Sequence, residues 1–220
     1  MNFDVNPDKP VPRPAPEKPA NIKTEAVELI KLVAWFLLLF FALKYFVIEG
    51  YEVQGPSMEP TLWNNERILV FKLPHKLSQL GILPGYDAVT EGDIVVFERT
   101  EDGRKRYVKR VIAKGPDIDS NTVGAVGPDD LDPVPVSVRI EDGTVYVNNR
   151  RIEESYLTPD TAKTFSWSGK AELNAGQYYV MGDNRSVSKD SRIIGPVDDN
   201  KIIGKAVLRF WPLSRFGLLR

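Results

Sequence analysis

Arg104-Lys-Arg-Tyr-Val-Lys-Arg-Val-Ile-Ala113 decides the fold class. It is a short run rich in β-branched residues after a turn signal, which reads as a strand whose side chains point alternately to two faces. Read so, Tyr107, Lys109, Val111 and Ala113 share one face, and Val108, Arg110 and Ile112 share the other. Asp102-Gly103 is a hairpin signal joining this strand to the apolar run Asp93 to Glu98.

The pattern repeats outward. Arg67 to Phe71, Gln177 to Met181 and Lys201 to Phe210 are further short runs rich in Val, Ile and Phe. Val136 to Ile152 reads as a meander punctuated by Asp142-Gly143 and Asn148-Asn149. No amphipathic helix longer than about two turns follows residue 50, and no internal repeat is visible. The Asp-, Gly- and Pro-rich stretch from Pro116 to Pro135 reads as a surface loop. The expected class is mainly β, with coiled antiparallel sheets forming a partly barrel-like catalytic domain over residues 49–220.

What precedes that domain differs in kind. Residues 1–25 contain Pro7, Pro10, Pro12, Pro14, Pro16 and Pro19 among charges, and read as a flexible Pro-rich tail. Residues 26–48 follow, with an unbroken apolar run from Leu32 to Leu43. Glu28, Lys31 and Lys44 lie towards the segment's ends, where lysine stems can snorkel to the interface. The segment is therefore read as one N-terminal transmembrane helix. No pair of small residues follows it at a cleavable spacing, so the anchor is expected to be retained. Lys9, Arg13, Lys18 and Lys23 precede it, while Arg67 is the next positive residue after Lys44. That bias places the N-terminus in the cytoplasm and the β domain outside the cell or inner membrane.

Composition removes several classes of chemistry. The 220 residues carry a formal net charge of −1 and show no basic stripe interleaved with aromatics, which argues against nucleic-acid binding. There is no cysteine, so thiolate zinc sites, disulfides and cysteine proteases are excluded. Neither a metal site nor a cofactor is expected. The single histidine, His75, sits near Pro74, Gly81, Pro84 and Gly85, and reads as a solvated loop residue rather than a triad member.

Two residues stand out as candidates for chemistry. Lys109 has apolar neighbours on both sides of its own strand face, and an apolar environment disfavours the ammonium. Bringing a lysine from near 10.4 down to about 8 needs roughly 3 kcal/mol of differential environment. The same pattern suits a lysine paired with a carboxylate or snorkelling from the sheet. Ser57 lies in Gly55-Pro-Ser-Met-Glu-Pro-Thr-Leu62, where flanking prolines stiffen a non-regular segment. Such a turn suits a nucleophile beside an oxyanion donor, and equally a purely structural serine. Ser186 to Lys189 is a competing Ser-x-x-Lys match, but it lies in a loop and no Lys-Thr-Gly follows.

Taken together, four segments behind an N-terminal anchor resemble the type I signal peptidases, a family of Ser/Lys-dyad serine proteases. Gly55 to Leu62 is similar to the nucleophile box, and Gly92-Asp-Ile-Val-Val-Phe97 to the strand box. Tyr107-Val-Lys-Arg-Val-Ile112 is similar to the lysine box, and Gly182-Asp-Asn-Arg-Ser-Val-Ser-Lys-Asp-Ser-Arg192 to the final box. The resemblance implies that Ser57 is the nucleophile and neutral Lys109 the general base. It implies that Ser188 orients Lys109, that Asp190 holds the loop through Arg192 or a neighbour, and that the Ser57 N–H binds the oxyanion. Gly55 stands where some members carry a serine whose hydroxyl is a second oxyanion donor. Tyr51, Val53, Met58 and Val108 match positions near the small substrate pockets.

The implied activity is removal of signal peptides from secretory precursors, by cleavage after small residues in an Ala-X-Ala-like pattern. The implied partners are those precursors and the lipid bilayer, with the protein export translocon as a further candidate. Self-cleaving repressors with the same Ser-Lys chemistry are soluble, and the apolar segment argues against them. An inactive tethered binding module is the alternative from another class, and the retained Ser57 and Lys109 argue against it.

Overall fold

Strands form where β-branched and aromatic residues meet turn residues able to take positive φ. The structure is a computed structural model that describes residues 22 to 82, 87 to 99, 101, 103, 105 to 116, 134 to 162 and 168 to 219. Twelve strands are present among them: β1 Ile48–Glu52, β2 Arg67–Phe71, β3 Ile94–Arg99, β4 Lys105–Lys114, β5 Val136–Glu141, β6 Thr144–Val147, β7 Arg150–Arg151, β8 Gly169–Leu173, β9 Gln177–Met181, β10 Val197–Asp198, β11 Ile202–Trp211 and β12 Gly217–Leu218. The two meander turns are tight because Asp142, Gly143, Asn148 and Asn149 all have φ between 46° and 78°. The loop expected from Pro116 to Pro135 and residue Asp102 of the hairpin lie largely or wholly outside the described residues.

Pairing divides the strands into two antiparallel sheets. The larger has eight strands in the order β1-β2-β11-β3-β4-β9-β10, with β12 beside β11, and the smaller runs β7-β6-β5-β8. β1 and β10 end the larger path, so the sheet is open and the barrel is not closed. Three apolar clusters hold the layers. Met58, Leu62, Ile68, Ile94 and Val96 form one; Val95, Phe97, Val111 and Val180 lie in a second. Ile112, Ala113, Val138, Ile140 and Tyr179 belong to the third, which packs the small sheet on β4 and β9.

β4 departs from simple alternation. Every residue from Lys109 to Ala113 is buried. A register shift against β9 falls between Val111 and Ala113, so Val111 faces the second cluster while both Ile112 and Ala113 join the third. Ala113 therefore does not share the face of Val111, as strict alternation predicts. β4 pairs with β3 from Lys105 to Arg110 and meets β9 only from Arg110 onward. Among the described residues no strand covers the other side of Lys105 to Lys109.

The N-terminal helix is shifted relative to the expected anchor. α1 spans Ile22–Ala42, a π-helical turn occupies Leu43–Val47, and Ile48 already begins β1. The last residues assigned to the tail, 22–25, are thus helical; residues 1–21 lie outside the described residues. Among the described residues no helix is long and apolar enough to cross a membrane. Charge is the reason, since Glu25, Glu28 and Lys31 interrupt the apolar pattern and leave about 16 Å of uninterrupted apolar helix from Leu32 onward. The chain divides into two compact units, 1–41 and 42–220.

His75 also differs from its expected setting. It lies within a second helix, α2, Leu73–Gln79, and is 4% exposed. Its Nε2 lies 3.2 Å from the Asp199 carbonyl and 3.0 Å from Gln79 Nε2. A buried imidazole needs such partners. They tie α2 to residue 199, and neither Ser57 nor Lys109 is among them.

Candidate active site

The turn carrying Ser57 is held from within and from outside. Met58 and Leu62 are both fully buried, so the first apolar cluster grips the turn on either side. The Leu62 N–H donates to the Met58 carbonyl at 2.8 Å, and the Gly55 N–H donates to Asn64 Oδ1 at 2.8 Å. Gly55 has φ of 87°, a conformation that a side chain resists. From outside, the Asn184 N–H donates to the Ser57 carbonyl at 3.1 Å. Arg209 Nη1 donates to the Thr61 carbonyl at 2.8 Å, and Arg215 Nη1 reaches the buried Glu66 carboxylate at 2.9 Å.

Lys109 comes to this turn from β4, paired opposite Val95 on β3. It is 3% exposed, and its Nζ donates to Ser57 Oγ at 2.8 Å and to the Val108 carbonyl at 2.8 Å. Burial lowers its pKa to about 8, against the opposing pull of Asp190 and Asp183, with Arg192 adding to the lowering. Lys109 is thus within proton-transfer reach of a hydroxyl and half neutral at mildly alkaline pH.

The final box forms the wall behind the pair. A short third helix, α3, Ser191–Ile194, is capped by Asp190, which accepts from Arg192 Nε at 2.8 Å and from the Gly182 N–H at 2.9 Å. Asp190 thus engages Arg192. Ser188 is placed differently. Its Oγ is buried and has no hydrogen-bond partner, so the implied bond to Lys109 is not formed; Lys109 Nζ donates to the Val108 carbonyl instead. Ser188 still lies at the centre of the site. A Cβ added at Gly182 would fall 2.2 Å from Ser188 Oγ and 2.4 Å from the Ser57 carbonyl oxygen.

A groove of about 670 Å³ opens on Ser57. Tyr51, Val53 and Val108 line it, together with Ile68 and Val96, which sequence reasoning missed. Met58 does not; it is fully buried in the first cluster, because it anchors the turn from beneath. The groove lies between the outer strand β1 and the half of β4 that β9 leaves uncovered.

Sequence reasoning gave Arg110 no role beyond its place on a strand face. The structure buries it to 2% exposure, with Nε 2.9 Å and Nη2 2.8 Å from the two oxygens of Asp183. Thr61 Oγ1 donates to the same carboxylate at 2.5 Å, so Asp183 ties the Ser57 turn to the strand of Lys109. A bidentate guanidinium is suited to such a junction. The two residues' positions next to Lys109 and Gly182 were the only signal in the sequence.

Comparison with known proteins shows the family. The sequence model of the family described as "Signal peptidase, peptidase S26" matches residues 26–120 and 135–211. "Probable signal peptidase I-2" of Synechocystis sp. is 31% identical over 88% of this chain and 77% of its own length. "Signal peptidase IB" of Staphylococcus aureus is 31% identical over 89% of this chain and 94% of its own. A solved signal peptidase I from Enterococcus faecalis aligns with 55% of this chain and 98% of its own at 22% identity and a TM-score of 0.39. On the family match over most of its length, and on relatives at this identity and coverage, the chain belongs to the type I signal peptidases of peptidase family S26.

Proposed function

We propose that the protein is a membrane-tethered serine endopeptidase that removes signal peptides from exported precursors, with Ser57 as nucleophile and Lys109 as general base. The observation that carries this reading is the 2.8 Å approach of a buried Lys109 Nζ to Ser57 Oγ. Neutral Lys109 accepts the hydroxyl proton as Oγ attacks the scissile carbonyl carbon. The negative charge that develops on the carbonyl oxygen is met by the Ser57 N–H. The Lys109 ammonium then protonates the leaving amine, the peptide C–N bond breaks, and an acyl-Ser57 ester remains. Water attacks the ester with Lys109 again as base, releasing the acid and restoring the hydroxyl.

Substrate selection follows from the groove. An extended peptide laid between β1 and residues 105–109 meets backbone groups on strand edges, the recognition mode of strand addition. Val53, Ile68 and Val96 are each 3% exposed or less, so core side chains fill the floor and leave little depth beneath the peptide. Small side chains are therefore favoured on the inward-pointing substrate positions. Because alternate residues of a strand point the same way, this corresponds to cleavage after an Ala-X-Ala-like sequence. A serine-directed acylating probe should label the full-length protein at Ser57, and Ser57→Ala should abolish both labelling and precursor cleavage. Cleavage retained by Ser57→Ala would overturn the assignment.

The membrane part of the reading rests on α1. Trp35, Phe36 and Phe41 are each at least 60% exposed, and apolar surface of this extent calls for an apolar environment. Lys31 and Glu28 form an ion pair at 2.9 Å, which lessens the cost of carrying both in the helix near the interface. With the lysine and arginine bias before it, the helix holds the N-terminus in the cytoplasm and residues 49–220 outside. An engaged precursor is then presented at the surface where its own apolar segment is held. Protease added outside spheroplasts should digest the domain beyond residue 49; its full protection would sink this topology.

A further inference from the structure

The segment from 152 to 162, which leads away from the small sheet, reaches the neighbours of both halves of the proposed dyad through two half-buried side chains, Glu154 and Tyr156. Glu154 accepts from Arg185 Nη1 at 3.0 Å, from Arg185 Nη2, and from the Tyr156 hydroxyl at 2.6 Å. The Arg185 side chain has no exposed surface, and its Nε donates to the Gly182 carbonyl at 3.1 Å. Gly182 is the residue against which the Ser57 carbonyl and Ser188 pack without room for a Cβ. On the other side, the Tyr156 ring lies 4.0 Å from the Arg110 guanidinium carbon. Arg110 is the chain neighbour of Lys109 and the bidentate partner of Asp183. Burial and the Glu154 carboxylate push the Tyr156 phenol well above its ordinary pKa, so it remains a donor.

Open space adjoins this strap on both sides of Glu154 and Tyr156. A cavity of about 1160 Å³ and another of about 720 Å³ are both lined by Ile152 and Glu153. The Arg185 N–H adds one backbone link, to the Thr161 carbonyl at 3.0 Å. Beyond Ile152 on the third apolar cluster and this backbone link, the side-chain polar contacts that tie the strap to the larger sheet and the final box run through Glu154 and Tyr156.

We propose that Glu154 and Tyr156 are positioning residues for the peptidase reaction: Glu154 sets the Ser57 turn through Arg185 and Gly182, and Tyr156 sets the Lys109 strand through Arg110 and Asp183. The proposal rests on the Ser57–Lys109 reading. Neither residue touches the reacting atoms. Their loss should act on kcat, because a displacement of about 1 Å between nucleophile and base costs on the order of 10²-fold.

It should also move the pH profile. Asp183, Asp190 and Arg192 are the charges that act on Lys109 from the wall behind it. Glu52, Lys105, Arg106 and Lys189 face it from the groove. Loosening Arg110 leaves Asp183 less compensated and admits water, and both changes favour the Lys109 ammonium. The acid limb of the kcat profile should then shift to higher pH.

The test uses the full-length protein in lipid or detergent with a precursor substrate. Tyr156→Leu removes the ring over Arg110 and should lower kcat by about tenfold or more, with KM within about twofold and the acid limb raised. Tyr156→Phe keeps the ring and should stay within about threefold of the parent. Glu154→Gln should lower kcat in the same way as Tyr156→Leu; if it fails to give a cooperative thermal transition, the two Tyr156 variants decide alone. An unshifted acid limb in Tyr156→Leu, with kcat per folded molecule equal to the parent, overturns the proposal. Cleavage by Ser57→Ala or Lys109→Arg would instead remove the reading on which it rests.

Discussion

Lys109→Met and Lys109→Arg should both fold and both lose precursor cleavage, by about 10²–10⁴-fold, the range that positioned general bases supply. Arginine keeps the positive charge but stays protonated at any pH the fold survives, so it cannot take the Ser57 proton. Methionine keeps the length and suits the apolar surroundings of a residue that is 3% exposed. In the parent, cleavage should fall tenfold per pH unit below about 8, because only neutral Lys109 accepts the proton. The same shift has a stability consequence. The folded pKa of about 8 lies below the unfolded value, so the unfolded chain binds more protons between them, and stability rises with pH across that window. Below pH 8 the full penalty is present, up to roughly 3 kcal/mol. Lys109→Met should therefore melt higher than the parent at neutral pH, and the gap should close towards pH 10. Precursor cleavage at parental rate by purified Lys109→Arg would exclude Lys109 as the base.

Gly182→Ala should be nearly as damaging, for a geometric reason. The new methyl would lie 2.4 Å from the Ser57 carbonyl oxygen and 2.2 and 2.6 Å from Oγ and Cβ of Ser188. The Ser57 carbonyl is backbone and already accepts from Asn184, so it cannot swing aside as a surface side chain would. Either the nucleophile turn or the final box must move by about 1 Å, with a loss of about 10²-fold in kcat. Overpacking should cost about 1–3 kcal/mol of stability as well. Single-turnover cleavage compared with the thermal midpoint separates the two effects. A kcat within a fewfold of the parent would mean that the close approach at Gly182 is not required.

Much of the strand pattern was legible because strands advertise themselves through local residue choice. β2 and β9 match the runs Arg67 to Phe71 and Gln177 to Met181, and β3, β4 and β11 differ from theirs by one residue at each end. β8, Gly169–Leu173, was not legible. It is short and carries Lys170 and Glu172, and it is a strand because β5 offers it a ladder. β1 was hidden for another reason. The apolar run before it reads continuously into Ile48, and only the π-helical turn at Leu43–Val47 separates helix from strand. His75 was read from the Gly and Pro residues around it, whereas its burial comes from Asp199, more than a hundred positions away.

The sequence by itself determined the mainly β character of the domain, through short β-branched runs and turn residues that act over a few positions. It also determined the presence of one lysine with apolar flanks and one serine in a Pro-stiffened turn. Tertiary structure alone decided which partners these residues meet. Residues 57 and 109 lie on separate elements, and the 2.8 Å contact exists because β3 holds β4 in register while Met58 and Leu62 sink the turn into the core beside it. The same holds for Arg110 with Asp183, Glu154 with Arg185, and Ser188, whose implied bond to Lys109 is not formed. Local patterns report how a residue sits on its own strand or turn. Hydrogen bonds and desolvation depend on what packs opposite, and that is set by the pairing of segments far apart in the chain.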